Sequence, residues 1–334
     1  MKQSIGVSTL LLILLFALPL LVITPVLHRQ LTESEEPSEP LTIIPGDIDS
    51  AETVRVLDNG TVQEMTLADY LVGVVRAEMP ASFEREALRA QAVAARTYTL
   101  YKIKNGGNHG DTADICTDSK CCQAYISEEA ARTNWGSKAD DYEAKIEDAV
   151  YSTDGQAILY DGQPILAAFH SSSPGYTRSA GEVWLTDLPY LQSVSSPEKG
   201  DAIPNYYSRA EFTAEDFKKR VLAVYPEANL SGAMSGWLTD AVTDSSGSIE
   251  TVKVGGITVK GGSLRSALGL RSACYEWEVQ NKTLVFFVTG FGHGVGMSQY
   301  GANQMAKDGS DYKEILTHYY TGVTVGICTL PDRG

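Results

Sequence analysis

Residues 66–104 read TLADYLVGVVRAEMPASFEREALRAQAVAARTYTLYKIK, and their periodicity predicts two helices broken at Met79-Pro80. Thr66 has the chemistry of an N-cap, because its hydroxyl can accept from the unpaired N–H groups of a first turn. Leu67, Leu71, Val74 and Val75 share one helical face, and Pro80 ends the run. A second helix is expected over residues 83–104. Glu84 and Glu86 stand in its first turn and Lys102 and Lys104 in its last, the order a helix dipole favours. Ala87, Leu88, Ala92, Ala95 and Tyr98 form a stripe whose small members permit close packing, and Gly106-Gly107 follows as a stop.

On either side the signals alternate without a regular unit. Val54, Val56 and Val62 alternate around Asp58-Asn59-Gly60, a hairpin turn. Residues 138–153 read as a third amphipathic helix, and residues 158–169 as a hairpin about Asp161-Gly162. Loops rich in Gly, Ser and Pro occupy 170–210, and a helix capped by Thr213 follows. Short strands fill 236–290 around a helix near 263–269, and Asp311 with Glu314 opens a last helix with a capping-box pattern. There is no internal repeat. Hairpins rather than βαβ units predict an α+β class, with helices and β-hairpins around a substrate cleft and a smaller inserted lobe.

Residues 5–27 carry no charge and are mostly Leu, Ile and Val, long enough to cross a bilayer. The reading is a signal anchor with residues 1–4 cytoplasmic and the rest exported; a cleaved signal peptide is the alternative. Residues 28–51, rich in Glu, Pro, Ser and Thr, are expected to be a linker, and 52–330 the globular domain. Net charge is −15, which leaves no basic footprint for phosphates and sets nucleic acid aside. Of the five cysteines, Cys274 and Cys328 can form a disulfide if the domain is outside.

Four segments carry candidate chemistry. In Ala77-Glu78-Met79-Pro80 the carboxyl follows an apolar helix; it is either a general acid with a raised pKa or an idle, solvated helix-end carboxylate. In FGHGVGMSQYG, residues 291–301, four glycines let the backbone approach closely, with His293, Gln299 and Tyr300 beside them. A glycine-rich turn with a buried histidine is the plain alternative. In FHSSSPGYT, residues 169–177, no nucleophile elbow surrounds the serines, and neighbours in a loop do not suggest a base–nucleophile pair. A hydroxyl-rich sugar-binding loop that includes Ser171 is preferred to a serine hydrolase. His109, Cys116, Cys121 and Cys122 are plausible zinc ligands at no standard finger spacing.

Together these segments resemble the sporulation protein D/amidase-enhancer family. The matching stretches are AEMPASFEREALRAQAVAARTY (77–98), CQAY (122–125), FHSSSPGYTRSAGEVWLTDLPYLQSV (169–194), LRSALGLRS (264–272) and FGHGVGMSQYGANQMAKDG (291–309). The resemblance implies an extracytoplasmic lytic transglycosylase that cleaves peptidoglycan glycan strands during forespore engulfment. It places the catalytic acid on Glu78 and implicates Arg89, Arg96, Thr177, Tyr190, Gln299 and Tyr300 in binding. It further implies a zinc site at His109, Cys116 and Cys122. Implied partners are peptide-stripped glycan, the membrane, a sporulation amidase (stage II protein P) and a membrane protein (stage II protein M). Arg89 stands where the family often has Lys, and Pro174-Gly175 where it usually has Gly-Gly.

Glycosidic cleavage needs a proton on the leaving oxygen. A hydrolase manages acid and water with two carboxylates; a lytic transglycosylase uses the muramic 6-hydroxyl and can work with one. No partner carboxylate is evident: Asp69 is nine residues before Glu78, on another helical face. The rivals are a two-carboxylate hydrolase, a non-catalytic glycan-binding scaffold that activates an amidase, and a zinc hydrolase, which the absence of HExxH disfavours.

Overall fold

The computed structural model describes residues 46–330 except Asn108 and Leu185. The predicted membrane span and most of the predicted linker lie outside the described residues. No helix among those described is long and apolar enough to cross a membrane.

The first element corrects the domain boundary. Residues expected to end the linker form helix α1 (Asp47–Ala51). Five residues cannot sustain a helix alone, so tertiary contacts hold it. Asp154 accepts from the N–H groups of Ile48 (2.9 Å) and Asp49 (2.8 Å), satisfying donors that the helix leaves free. Asp49 in turn pairs with the guanidinium of Arg96.

Strands β1 (Thr53–Asp58) and β2 (Thr61–Thr66) form the expected hairpin. Asn59 and Gly60 both have positive φ (46° and 85°), the two-residue turn that suits twisted strands. Thr66 caps α2 (Leu67–Glu78) by accepting from the Asp69 N–H at 3.1 Å. Helix α3 (Arg85–Lys104) is the central element. Ala87, Ala90, Ala92, Ala94 and Ala95 are fully buried, because other elements close on it from all sides. Strand β3 (Ile115–Cys116) lies parallel to β1, with Leu57 opposite Cys116.

Helix α4 (Glu128–Trp135), capped by Ser127, was not anticipated; it buries only Ala131, too little for an apolar period to register. Helix α5 (Ala139–Tyr151) and strands β4 (Gln156–Tyr160) and β5 (Gln163–Pro164) then follow, with Asp161-Gly162 as the turn. After β6 (Phe169–His170) and the short α6 (Ala180–Val183) the chain enters the inserted lobe.

The lobe has its own core of Phe212, Phe217, Trp237, Val252, Leu264 and Phe286. It comprises β7 (Tyr207–Thr213), α7 (Ala214–Val224), β8 (Leu238–Thr243), β9 (Ile249–Val254), β10 (Ile257–Lys260), α8 (Gly261–Leu268), β11 (Tyr275–Gln280) and β12 (Thr283–Thr289). Its antiparallel sheets run β11-β12-β7 and β10-β9-β8. The buried pair Arg178–Asp244 ties it to the body.

The chain then returns through β13 (Met297–Ser298), which pairs in parallel with β6: Met297 faces Phe169 and Ser298 faces His170. Helix α9 (Gln299–Lys307), helix α10 (Tyr312–Tyr319) with its capping box, and strand β14 (Thr324–Ile327) beside β4 finish the body. The α+β class and the inserted lobe are thus both present. Cys274 and Cys328 form no disulfide: Cys274 lies in the lobe beside Ser272, whereas Cys328 packs on the core of the body.

Candidate active site

Glu78 is the last residue of α2, where Met79-Pro80 turns the chain toward α3. That break leaves the carboxyl half-buried at the wall of a cleft of about 880 Å³. Burial raises its pKa above the usual carboxylate range, against the opposing effects of the Ala124 N–H and the Gln299 side chain. The Ala124 N–H donates to Oε1 at 2.7 Å and so fixes the carboxyl's orientation. Gln299, first residue of α9, reaches back to Gln91 of α3 at 3.3 Å. Glu78 is the sole carboxylate among the described residues that line the cleft; the cations there are Lys120 and Arg265.

The opposite wall is the β6–β13 junction. Gly292 and Gly296 show why glycine recurs there. A Cβ at Gly292 would stand 2.6 Å from the His170 Cβ, and one at Gly296 2.0 Å from the Ala168 carbonyl oxygen. Both have positive φ, so the strand runs against residues 168–170 only with glycine. His170 is buried, with Nδ1 3.2 Å from the Val295 carbonyl and Nε2 2.7 Å from Ser173 Oγ. A carbonyl only accepts, so Nδ1 carries the proton and Nε2 accepts from the Ser173 hydroxyl. Burial pushes His170 down to about 3 and His293 down to about 4, so both rings are neutral at physiological pH.

The His170–Ser173 bond modifies the sequence expectation: a base–hydroxyl pair does form between loop neighbours. Ser173 is fully buried, however, and its N–H donates to Glu198 Oε1. No substrate reaches it, and the pair braces the loop.

Of the predicted site residues, the cleft gathers Glu78, Cys122, Ser171, His293 and Gln299. Arg96 does not line it. Its guanidinium is completely buried; Nε donates to both oxygens of Asp49 (3.0 and 2.8 Å), and the two terminal nitrogens donate to the Val150 and Gln156 carbonyls. Arg89 faces α5, held by Glu86, Asp148 and Ser152. The Thr177 hydroxyl is buried and accepts from the Val194 N–H at 2.9 Å. The Tyr190 hydroxyl accepts from the Leu166 N–H at 3.3 Å. Tyr300 packs edge-on against Phe83 and lines a separate hollow of about 280 Å³. These five hold the fold behind or beside the cleft. The cleft also contains Tyr98, Lys120, Trp184, Arg265 and Phe291, to which the sequence reading gave no role. Trp184 and Arg265 stand within stretches that carried the family resemblance, and Tyr98 in the α3 stripe; their positions alone gave no sign of facing one cavity.

At one end of the cleft the four sulfur and imidazole groups converge. One ligand atom each from His109, Cys116, Cys121 and Cys122 lies within 4.8 Å of the others. Cys121 Sγ is 3.6 Å and Cys122 Sγ 3.7 Å from His109 Nε2, and the two sulfurs are 3.8 Å apart. A tetrahedral zinc ion with ordinary bond lengths has edges of about 3.6–3.8 Å between its ligands, which the His109, Cys121 and Cys122 separations match, with Cys116 close enough to be the fourth. Burial pushes the Cys122 thiol up to about 12, and a nearby cation is what would ionise it. Cys121 joins the three ligands the resemblance implied. β3 brings in Cys116 and the Asp118 turn brings in the other two: the Asp118 carbonyl accepts from the N–H groups of Cys121 (3.0 Å) and Cys122 (2.8 Å).

A family model described as stage II sporulation protein matches residues 58–160, which contain Glu78 and all four cluster residues. Over 337 residues the chain is 34% identical to stage II sporulation protein D of Bacillus subtilis (strain 168), covering 97% of this chain and 96% of that protein. The chain belongs to the stage II sporulation protein D family. A second member of that family, from Bacillus amyloliquefaciens, is 37% identical over 80% of this chain and 76% of its own length. The amidase enhancer of B. subtilis (strain 168) is 29% identical over 76% of this chain, though only 40% of the enhancer is covered. Family membership therefore assigns the chain to sporulation and relates it to a protein named for enhancing an amidase.

Proposed function

We propose that this member of the stage II sporulation protein D family is a lytic transglycosylase acting on peptidoglycan glycan strands in engulfment. The observation that supports this best is Glu78: the one carboxylate among the described residues of a large cleft, half-buried and shifted toward its protonated form. The protonated carboxyl gives its proton to the glycosidic oxygen as the C1–O bond breaks. The carboxylate left behind then takes the proton of the muramic 6-hydroxyl, whose oxygen bonds to C1 and closes the 1,6-anhydro ring. No water is consumed, and Glu78 ends as it began. The Ala124 N–H on Oε1 holds the carboxyl in one orientation for both transfers. Ser171, His293 and Gln299 are the predicted contacts to the sugar that the cleft retains.

Zinc held by His109, Cys116, Cys121 and Cys122 would have four protein ligands and no open position, so it would serve structure, not chemistry. It would brace the loop that presents Ala124 to Glu78. Residues 5–27 would anchor the chain with the domain outside the cytoplasm, facing the wall and a cell-wall amidase.

The test is mass spectrometry of products from residues 46–334 on peptide-stripped glycan. Anhydro-muramic ends from the parent and none from Glu78→Gln support the reading. Reducing ends would replace it with hydrolysis, and undiminished turnover by Glu78→Gln would remove the residue from the mechanism. The relative named amidase enhancer favours a second reading, a glycan-binding activator of an amidase. Strand binding without cleavage, together with faster hydrolysis by an added amidase, would support it.

A further inference from the structure

The cleft does not end at His293. A second hollow of about 540 Å³ lies beneath the inserted lobe and shares three residues with the first: Trp184, Arg265 and His293. Together they give a groove much longer than one sugar, with these three side chains at its waist. Trp184 leads out of α6 and is half-exposed, its ring 5.7 Å from that of His293 and tilted by 51°. It offers an apolar face of the kind on which a sugar ring rests.

Arg265 comes from the lobe, on α8, and is half-buried. Its Nε donates to the Arg271 carbonyl at 3.1 Å, which fixes the plane of the guanidinium. Among the described residues no carboxylate lies within ion-pairing distance of it, whereas the buried Arg96 and Arg178 each hold one. Glu182, which lines the same hollow, is taken up by Ser179 and Ser245. Burial and the like charge of Arg178 both act against its charged form. A guanidinium held in that state is a poor choice for stability and a good one for receiving an anion.

We propose that Arg265, beside the Trp184 face, is a subsite for a carboxylate carried by the bound glycan. This rests on the glycan-strand reading above. In a peptidoglycan strand every second sugar carries a lactyl ether, and its carboxylate is the one anion of the bare strand. It is free where the stem peptide has been removed and converted to an amide where the peptide remains. A fork of two N–H donors suits that carboxylate and has no charge partner in the amide. The inserted lobe would thereby select for strand chemistry at a distance from Glu78, with the body doing the cleavage.

The experiment measures binding, not turnover, in the Glu78→Gln background of residues 46–334. Two ligands of equal length are compared, a peptide-free muramic oligosaccharide and a chitooligosaccharide, which lacks the carboxylate. The unaltered subsite should prefer the muramic ligand, and Arg265→Gln should weaken that ligand alone, on the order of 10- to 100-fold. Arg265→Lys should recover part of the preference and make it more salt-sensitive. Removing an unpaired charge should not lower the melting temperature, which a purely structural arginine would do. Equal binding of both ligands before substitution, or a preference that Arg265→Gln leaves intact, would overturn the subsite. Cleavage by the Glu78 protein is assayed separately. Turnover with no Arg265 effect leaves the transglycosylase reading standing, and an Arg265 effect without turnover leaves the subsite standing.

Discussion

Asp49→Ala is expected to destabilise the domain although it lies in a five-residue helix at its edge. The reason is Arg96, whose guanidinium has no exposed surface and whose counter-charge is the Asp49 carboxylate, 3% exposed. Removing one partner of such a pair leaves a charge with no partner and no water, a loss of about 3–5 kcal/mol. For a domain of this size that corresponds to a fall in melting temperature of roughly 6–10 °C, or a urea midpoint lower by about 1 M or more. A fragment that begins at residue 52 should behave at least as badly, since it also loses the Ile48 and Asp49 N–H bonds to Asp154. The double variant Asp49→Leu with Arg96→Met replaces both charges by apolar groups and should recover most of the loss. Calorimetry and urea titration of residues 46–334 and 52–334 check this. A single variant that melts within a degree of the parent would refute the reasoning, as would a double variant no better than Asp49→Ala. The double variant also tests the binding role that resemblance implied for Arg96: a stable fold that no longer binds glycan would restore that role.

Glu78 should make activity and stability respond to pH in the same direction. Its folded pKa is raised, so the folded state holds the proton over a window in which the unfolded chain has lost it. Acid catalysis and the contribution to stability should both decline as pH rises through the folded value. Glu78→Gln should therefore melt higher than the parent above that pH and lose the dependence, which melting curves across pH will show. Purified protein should contain about one zinc ion per chain, with Cys121→Ser reducing it as much as Cys116→Ser; metal analysis with a thermal melt in chelator checks this, and a Cys121→Ser protein with full zinc would remove that ligand. Ser173→Ala should keep glycan turnover and lose about 1–3 kcal/mol, because His170 Nε2 is left buried without its donor. Abolished turnover in a folded Ser173→Ala protein would reopen the serine.

Much of the local structure was legible because its causes lie within four residues of one another. Thr66 and Asp69, Asn59-Gly60, Asp161-Gly162, Thr213 and Asp216, and Asp311 with Glu314 each act through a cap or turn that composition announces. Helix α4 escaped because it presents too little apolar surface, and α1 because a five-residue segment of linker composition is helical only against Asp154 and Arg96. Predicted site residues separated for the same reason. Arg96, Thr177 and Tyr190 have side chains fit for binding, yet packing uses them inside the fold, while Arg89 faces a neighbouring helix and Tyr300 a separate hollow.

The sequence by itself singled out Glu78, marked the Cys/His group, and predicted the α+β class with its inserted lobe. Only the tertiary structure decided that Glu78 is the single carboxylate among the described residues of its cleft, that Cys121 completes the cluster, and that Arg265 meets Trp184 at the waist of a longer groove. Those three facts depend on pairings such as Leu57 with Cys116 and Phe169 with Met297. Side-chain type and short-range spacing carry propensity and capping, whereas which faces meet across more than a hundred residues is settled by packing the whole chain at once.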